Sequence, residues 1–167
     1  FQEQKDVFMT AQIIDGKAIA EKLRLEIGER VAEYKKSRHK TPGLAVILVG
    51  ENPASEVYVS NKEKFAKEIG MNSFVIKMPS ETTENELISR VNLLNKDFAV
   101  HGILVQLPLP PHIKEASVIN AIDPKKDVDG FHIKNVGLLA TGQDGLIPCT
   151  PLGSMILIKS VIKDLSG

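Results

Sequence analysis

The chain has no tryptophan, two tyrosines and one cysteine. A lone Cys149 excludes an intramolecular disulfide framework and any multi-cysteine zinc site. The four histidines, His39, His101, His112 and His132, are scattered without ligand spacing, so no metal is expected. Charge of either sign is not in excess: Lys+Arg and Asp+Glu both count 21. With no basic surplus and few aromatic stacking platforms, a nucleic-acid partner is not expected. No stretch approaches the ~18 to 20 apolar residues of a membrane span, so no membrane partner is expected either. Residues 1–8 (FQEQKDVF) lack the apolar run of a signal peptide, and Met9 reads as a natural start. Those eight residues are taken as upstream sequence, and the protein as cytoplasmic.

What is present is an ordinary globular composition, 43% hydrophobic and 25% charged over 167 residues. That supports one domain, or one domain and part of a second. Ala11–Ile14 reads as a short strand. Asp15 reads as the cap of a long helix, with Ile19, Leu23, Ile27 and Val31 on one stripe and Lys35, Lys36 and Arg38 at its end. Leu44–Gly50 is a continuous apolar run of the kind buried on both faces of a parallel sheet. ENPAS reads as a turn, with Ser55 capping the next helix. Ser73–Pro79 is a second strand, and Thr83 with Glu86 forms a capping box for a helix to about Lys96. Gly102–Pro108 is the third strand, followed by a short helix over Lys114–Ile122. A loop-rich stretch then leads to a last apolar helix opened by Pro151 and running to about Leu165. The alternation predicts an α/β fold: a three-layer, mainly parallel sheet flanked by helices.

Ligands of open parallel sheets bind beyond the carboxyl ends of the strands. Tyr58 and Lys62 sit four residues apart after the first strand, on one helix face, and form a possible proton-transfer pair. Placed in the first two turns, Lys62 would feel the positive end of the helix, which favours a proton carrier. Gln106, interrupting ILVQLPLP at the end of the third strand, can donate and accept at once and so orient the lysine or a carbonyl. Pro108, Pro110 and Pro111 stiffen that exit, and one of these X-Pro bonds could be cis. In KKDVDGF, Asp127 and Asp129 project differently around a turn in which Gly130 permits a positive φ, and a rim carboxylate can accept paired N–H bonds. A calcium loop lacks its remaining ligands. Cys149 has no obvious base beside it and is a poor nucleophile. The Tyr-xxx-Lys of short-chain dehydrogenases follows a complete nucleotide-binding half, whereas 57 residues precede Tyr58 here.

Together and in order, YVSNK, VQLPLP, DVDGF and PCTPLG, with LVGENPAS, resemble the bifunctional methylenetetrahydrofolate dehydrogenase/methenyltetrahydrofolate cyclohydrolase family. The resemblance implies that residues 9–150 are its folate-binding catalytic domain. It implies that residues 151–167 are a connecting helix toward an absent NAD(P)-binding Rossmann domain. It implies that Lys62 is the catalytic acid/base, Tyr58 its ring-flanking partner and Gln106 the residue that tunes the lysine. Asp129 would hold the pterin edge, and Ser55, Leu107 and Pro108 would line the folate side. Pro148 and Thr150 would border the nicotinamide. The implied substrate is a tetrahydrofolate and the implied cofactor NADP or NAD, in a homodimeric enzyme of one-carbon metabolism and purine biosynthesis. No GxGxxG loop occurs in the chain, so these residues alone are expected to lack dehydrogenase activity. The alternative is a folate-binding fragment with little or no activity of its own.

Overall fold

The computed structural model describes residues 11, 13–162 and 164–166. In chain order the elements are α1 (Gly16–Arg38), β1 (Gly43–Val49), α2 (Pro53–Glu68), β2 (Asn72–Met78), α3 (Glu84–Lys96), β3 (Gly102–Val105), α4 (Glu115–Ala121), α5 (Ile133–Ala140) and α6 (Cys149–Val161). The three strands are parallel and ordered β2-β1-β3, with Ile47 opposite Ile76 on one side and Val105 on the other. The chain steps from β1 to β2 in one direction and from β2 past β1 to β3 in the other. Crossovers of one hand must then lie on opposite faces, and α2 and α3 do.

The alternating side chains of β1 divide the core accordingly. Ala45, Ile47 and Val49 pack with Leu87, Val91 and Leu94 of α3 and Val118 of α4. Val46 and Leu48 pack with Leu104 and with Val59 of α2. All seven residues of β1 except Leu44 are buried, as its unbroken apolar run requires. β3 is shorter than expected, because the ladder ends at Val105; Gln106 adds one further bond by donating its N–H to Ile47 O at 2.8 Å.

Local signals fixed several boundaries. Asp15 accepts from Ala18 N at 2.9 Å and caps α1, which ends among Lys35, Lys36 and Arg38. Thr83 and Glu86 make the full capping box of α3. Other expectations need correction. Ala11, Ile13 and Ile14 form no strand, and Gln12 lies outside the described residues. Ser55 does not cap α2: Asn52 does, accepting from Ser55 N, with Pro53 at the favoured first position. The stretch read as loop contains α5, capped by the His132 side chain. α6 begins at Cys149, ahead of Pro151, and ends at Val161 short of Leu165. Among the described residues no helix is long and apolar enough to cross a membrane.

Candidate functional site

β1 and β3 are neighbours, so whatever follows their carboxyl ends meets at one edge. α2 leaves β1 there and carries Ser55, Tyr58 and Lys62 at intervals of three and four, on one side of the helix. Gln106 leaves β3 at the same edge. The two segments close on each other: Lys62 Nζ donates to Gln106 Oε1 at 2.8 Å, across 44 residues of sequence. The other end of the Gln106 amide is committed, since Nε2 donates to Leu107 O at 2.7 Å. With its donor engaged backward, the amide presents its oxygen to the ammonium. The ammonium lies 5.8 Å from the centre of the Tyr58 ring, and that ring is 62% exposed on the open side of the cleft.

One part of the electrostatic expectation does not hold. Because α2 starts at Pro53, Lys62 is in its third turn, beyond the first turn over which a helix terminus acts strongly. The lysine's surroundings are set by Gln106, Tyr58 and a carboxylate instead. That carboxylate is Asp129. Burial pushes its carboxyl above the usual range, the Lys62 charge opposes that shift, and Asp127 adds to it. Lys62 and Asp129 therefore feel one another across the cleft although two strands, two helices and their loops separate them in sequence.

The DVDGF turn is held from below. Asp127 is 1% exposed and its Oδ2 accepts from His132 N and from Asn135 Nδ2, both at 2.8 Å. Its backbone forms a bridge with Ile103 of β3, so the turn continues the sheet edge. Gly130 has φ +69°, and a Cβ there would lie 2.8 Å from Pro148 N and 2.9 Å from Leu146 O. A side chain is thus excluded twice, by conformation and by the close passage of residues 146–148. The two aspartates differ: Asp127 is buried with its Oδ2 accepting twice, while Asp129 is half-buried and within range of the Lys62 charge.

Of the remaining expected residues, Ser55 is buried in the first turn of α2 and Leu107 is half-buried. Pro108 is exposed, after a cis Leu107–Pro108 peptide. Pro148 is half-buried at the start of α6 and Thr150 is exposed one step on. Cys149 reaches Val128 O with its Sγ at 3.5 Å. Burial raises its thiol, Asp129 and Asp127 raise it further, and Lys62 only partly compensates. A thiol so placed is not an activated nucleophile. For Asn135 the sequence offers only a polar residue inside the apolar pattern IKNVGLLA, and for His132 no pattern, a weak signal without the fold. Among the described residues no group of His, Cys, Asp and Glu is arranged to hold a metal. Hollows are present along α3 and beside α1, away from these groups, so this cleft is distinguished by its chemistry.

The same chain is similar to known proteins over nearly its whole length. The family model "Tetrahydrofolate dehydrogenase/cyclohydrolase, catalytic domain" matches residues 14–129. "Bifunctional protein FolD 1/3" of Ruegeria pomeroyi is 56% identical over 159 residues, which is 95% of this chain and 54% of that protein. The crystal structure of the bifunctional enzyme FolD, a methylenetetrahydrofolate dehydrogenase/cyclohydrolase from Campylobacter jejuni, superposes with a TM-score of 0.90 at 48% identity. It covers 93% of this chain and 55% of its own. The Trypanosoma brucei enzyme, solved with NADP cofactor and an inhibitor, gives 0.85 at 36% identity, covering 90% and 52%. The chain spans about half the length of these relatives.

Proposed function

The chain belongs to the tetrahydrofolate dehydrogenase/cyclohydrolase family, and on that premise we propose that its strand-end cleft is the folate-binding catalytic site of a one-carbon enzyme. The protein that carries it oxidises 5,10-methylenetetrahydrofolate with NADP or NAD. It also hydrolyses 5,10-methenyltetrahydrofolate to 10-formyltetrahydrofolate. The observation that carries this reading is the 2.8 Å bond between Lys62 and Gln106 in the cleft that Asp129 borders.

Each residue then has a distinct task. Hydrolysis adds one water to the methenyl carbon of a cationic substrate, forming a C–O bond and opening the C–N5 bond. Lys62, as the neutral amine, takes a proton from the attacking water and, so charged, returns one to N5 as that bond breaks; one further proton leaves to solvent. Gln106 holds Nζ at a fixed place by accepting from it, which is the positional control that general acid–base catalysis needs. Tyr58 lies against the flat ring system, and its exposed ring is free to do so. Asp129 accepts N–H bonds from the aminopyrimidine edge, while Ser55, Leu107 and Pro108 line the folate side.

Nicotinamide dinucleotide, when bound, supplies the hydride acceptor for the oxidation. Of its site these residues offer only a border at Pro148 and Thr150. No glycine-rich phosphate loop occurs anywhere in the sequence, so its phosphates are not held by these 167 residues. Residues 9–150 are read as the folate domain and residues 151–167 as the segment leading from it, which α6 enters at Cys149. Homodimeric assembly, a cytoplasmic site of action and a role in purine biosynthesis belong to the same proposal, with the family likeness as their support. Balanced charge supports the absence of a nucleic-acid partner.

The test is to follow loss of methenyl absorbance and, separately, reduction of NADP and NAD with methylenetetrahydrofolate, using the full-length protein that contains this chain. Both activities are expected. Tight folate binding with hydrolysis no faster than in buffer would replace this reading with that of a folate-binding protein.

A further inference from the structure

We propose that Asn135 is a positioning residue for the folate-binding turn: its buried amide fixes the Asp127–Gly130 segment so that Asp129 faces Lys62. This rests on the role proposed above for Asp129. Asn135 is 3% exposed and sits in α5, outside the cleft. Its Nδ2 donates twice, to Pro124 O at 2.9 Å and to Asp127 Oδ2 at 2.8 Å. One side chain therefore ties the entry of the DPKKDVDG loop to its turn.

The amide is one of several restraints, and the others explain why it matters. Lys126 Nζ donates to the carbonyls of Leu94, Asn95 and Asp97 at the end of α3, at 3.1, 2.8 and 2.9 Å. Asn95 Oδ1 accepts from Asp123 N at 2.8 Å. These contacts fasten the loop before Asp127 and do not reach the turn itself, where Val128 N donates to Ile103 O at 3.5 Å and Gly130 N to Asp127 O at 3.3 Å. Beyond that point, the carboxylate of Asp127 is gripped only by His132 N and Asn135 Nδ2 among the described residues. Without the amide, a buried carboxylate keeps one donor of two. Such a group moves toward water or a new partner rather than remain short of a bond, and Asp129 is two residues away.

A residue that only stabilises the fold and one that aims Asp129 are separated by a double-mutant cycle on folate affinity. Tetrahydrofolate is titrated calorimetrically into the full-length protein and into Asn135→Ala, Asp129→Ala and the double variant. Asn135→Ala is expected to weaken binding roughly three- to tenfold, and by less than about twofold once Asp129 is already alanine. An equal loss in both backgrounds overturns the positioning role, as does unchanged affinity in the single variant. If Asp129→Ala itself binds normally, the assignment of Asp129 fails and Asn135 has nothing to aim. Should Asn135→Ala not fold, Asn135→Ser keeps a small donor and runs the same cycle. Additive losses in that series overturn the proposal equally.

Discussion

The two sides of the cleft are built on different principles. On one side, Lys62 and Gln106 are half-buried side chains brought together by elements on the two neighbouring strands, and a single 2.8 Å bond joins them. On the other, Asp129 stands on a turn whose neighbours are locked by a buried carboxylate, a buried amide and a glycine pressed against residues 146–148. A proton carrier needs its nitrogen placed, which one bond to Gln106 does. A recognition group must keep its direction and needs a stiff base. The contrast teaches that removing the lysine should cost rate, whereas disturbing the turn should cost affinity and stability.

The largest effect should follow Lys62→Met, which keeps the stem and removes the amine. Hydrolysis of methenyltetrahydrofolate by the full-length protein is expected to fall by ~10²- to 10⁴-fold, measured by loss of absorbance at saturating substrate. Next comes Gly130→Ala, which puts a Cβ within 2.9 Å of three backbone atoms at a positive φ. It should lower unfolding stability by about 2 kcal/mol or more, read as a drop in the urea midpoint with an unchanged slope. An undiminished midpoint would show that the turn is not stiff.

Asp129→Ala should weaken tetrahydrofolate binding roughly tenfold or more, since charge-assisted bonds contribute ~1.5 to 3 kcal/mol each. The pH dependence sharpens the point. Because burial raises the Asp129 carboxyl, folate affinity should begin to fall, as pH is lowered, above the ~3.9 of an ordinary aspartate. The folded state holds that proton more tightly than the unfolded chain does. Its contribution to stability is therefore present at low pH and lost as pH rises through the raised value. At neutral pH, Asp129→Asn should melt at a higher temperature than wild type while binding folate less well. A lower melting temperature would contradict the desolvation argument. The smallest effect should be that of Tyr58→Phe, which keeps the ring: roughly two- to tenfold in affinity, from one hydroxyl bond.

The sequence carried one side of this comparison better than the other. β1 was legible because seven apolar residues in a row leave no polar face, and α3 because both halves of its capping box were written out. The Lys62–Gln106 meeting followed from the rule that strand ends share an edge. α5 was hidden since Gly137, Gly142 and Gly145 punctuate IKNVGLLATGQDG and mask eight helical residues. Ser55 drew attention from Asn52, although Asn followed by Pro is a strong helix start. The α1 stripe is helical, yet only Val31 of it is buried, because period does not say what covers a face. Asn135 beneath Asp127 is a contact between a turn and a helix that pattern alone does not announce.

The most direct test measures Lys62→Met and Asp129→Ala together, each for hydrolysis rate at saturating methenyltetrahydrofolate and for tetrahydrofolate affinity. The account predicts a crossed result. Lys62→Met should lose at least ~100-fold in rate with affinity kept within a few-fold, and Asp129→Ala at least ~10-fold in affinity with most of its saturated rate retained. If both variants lose the same quantity to a similar degree, the division of the cleft into a proton-carrying side and a recognition side is wrong.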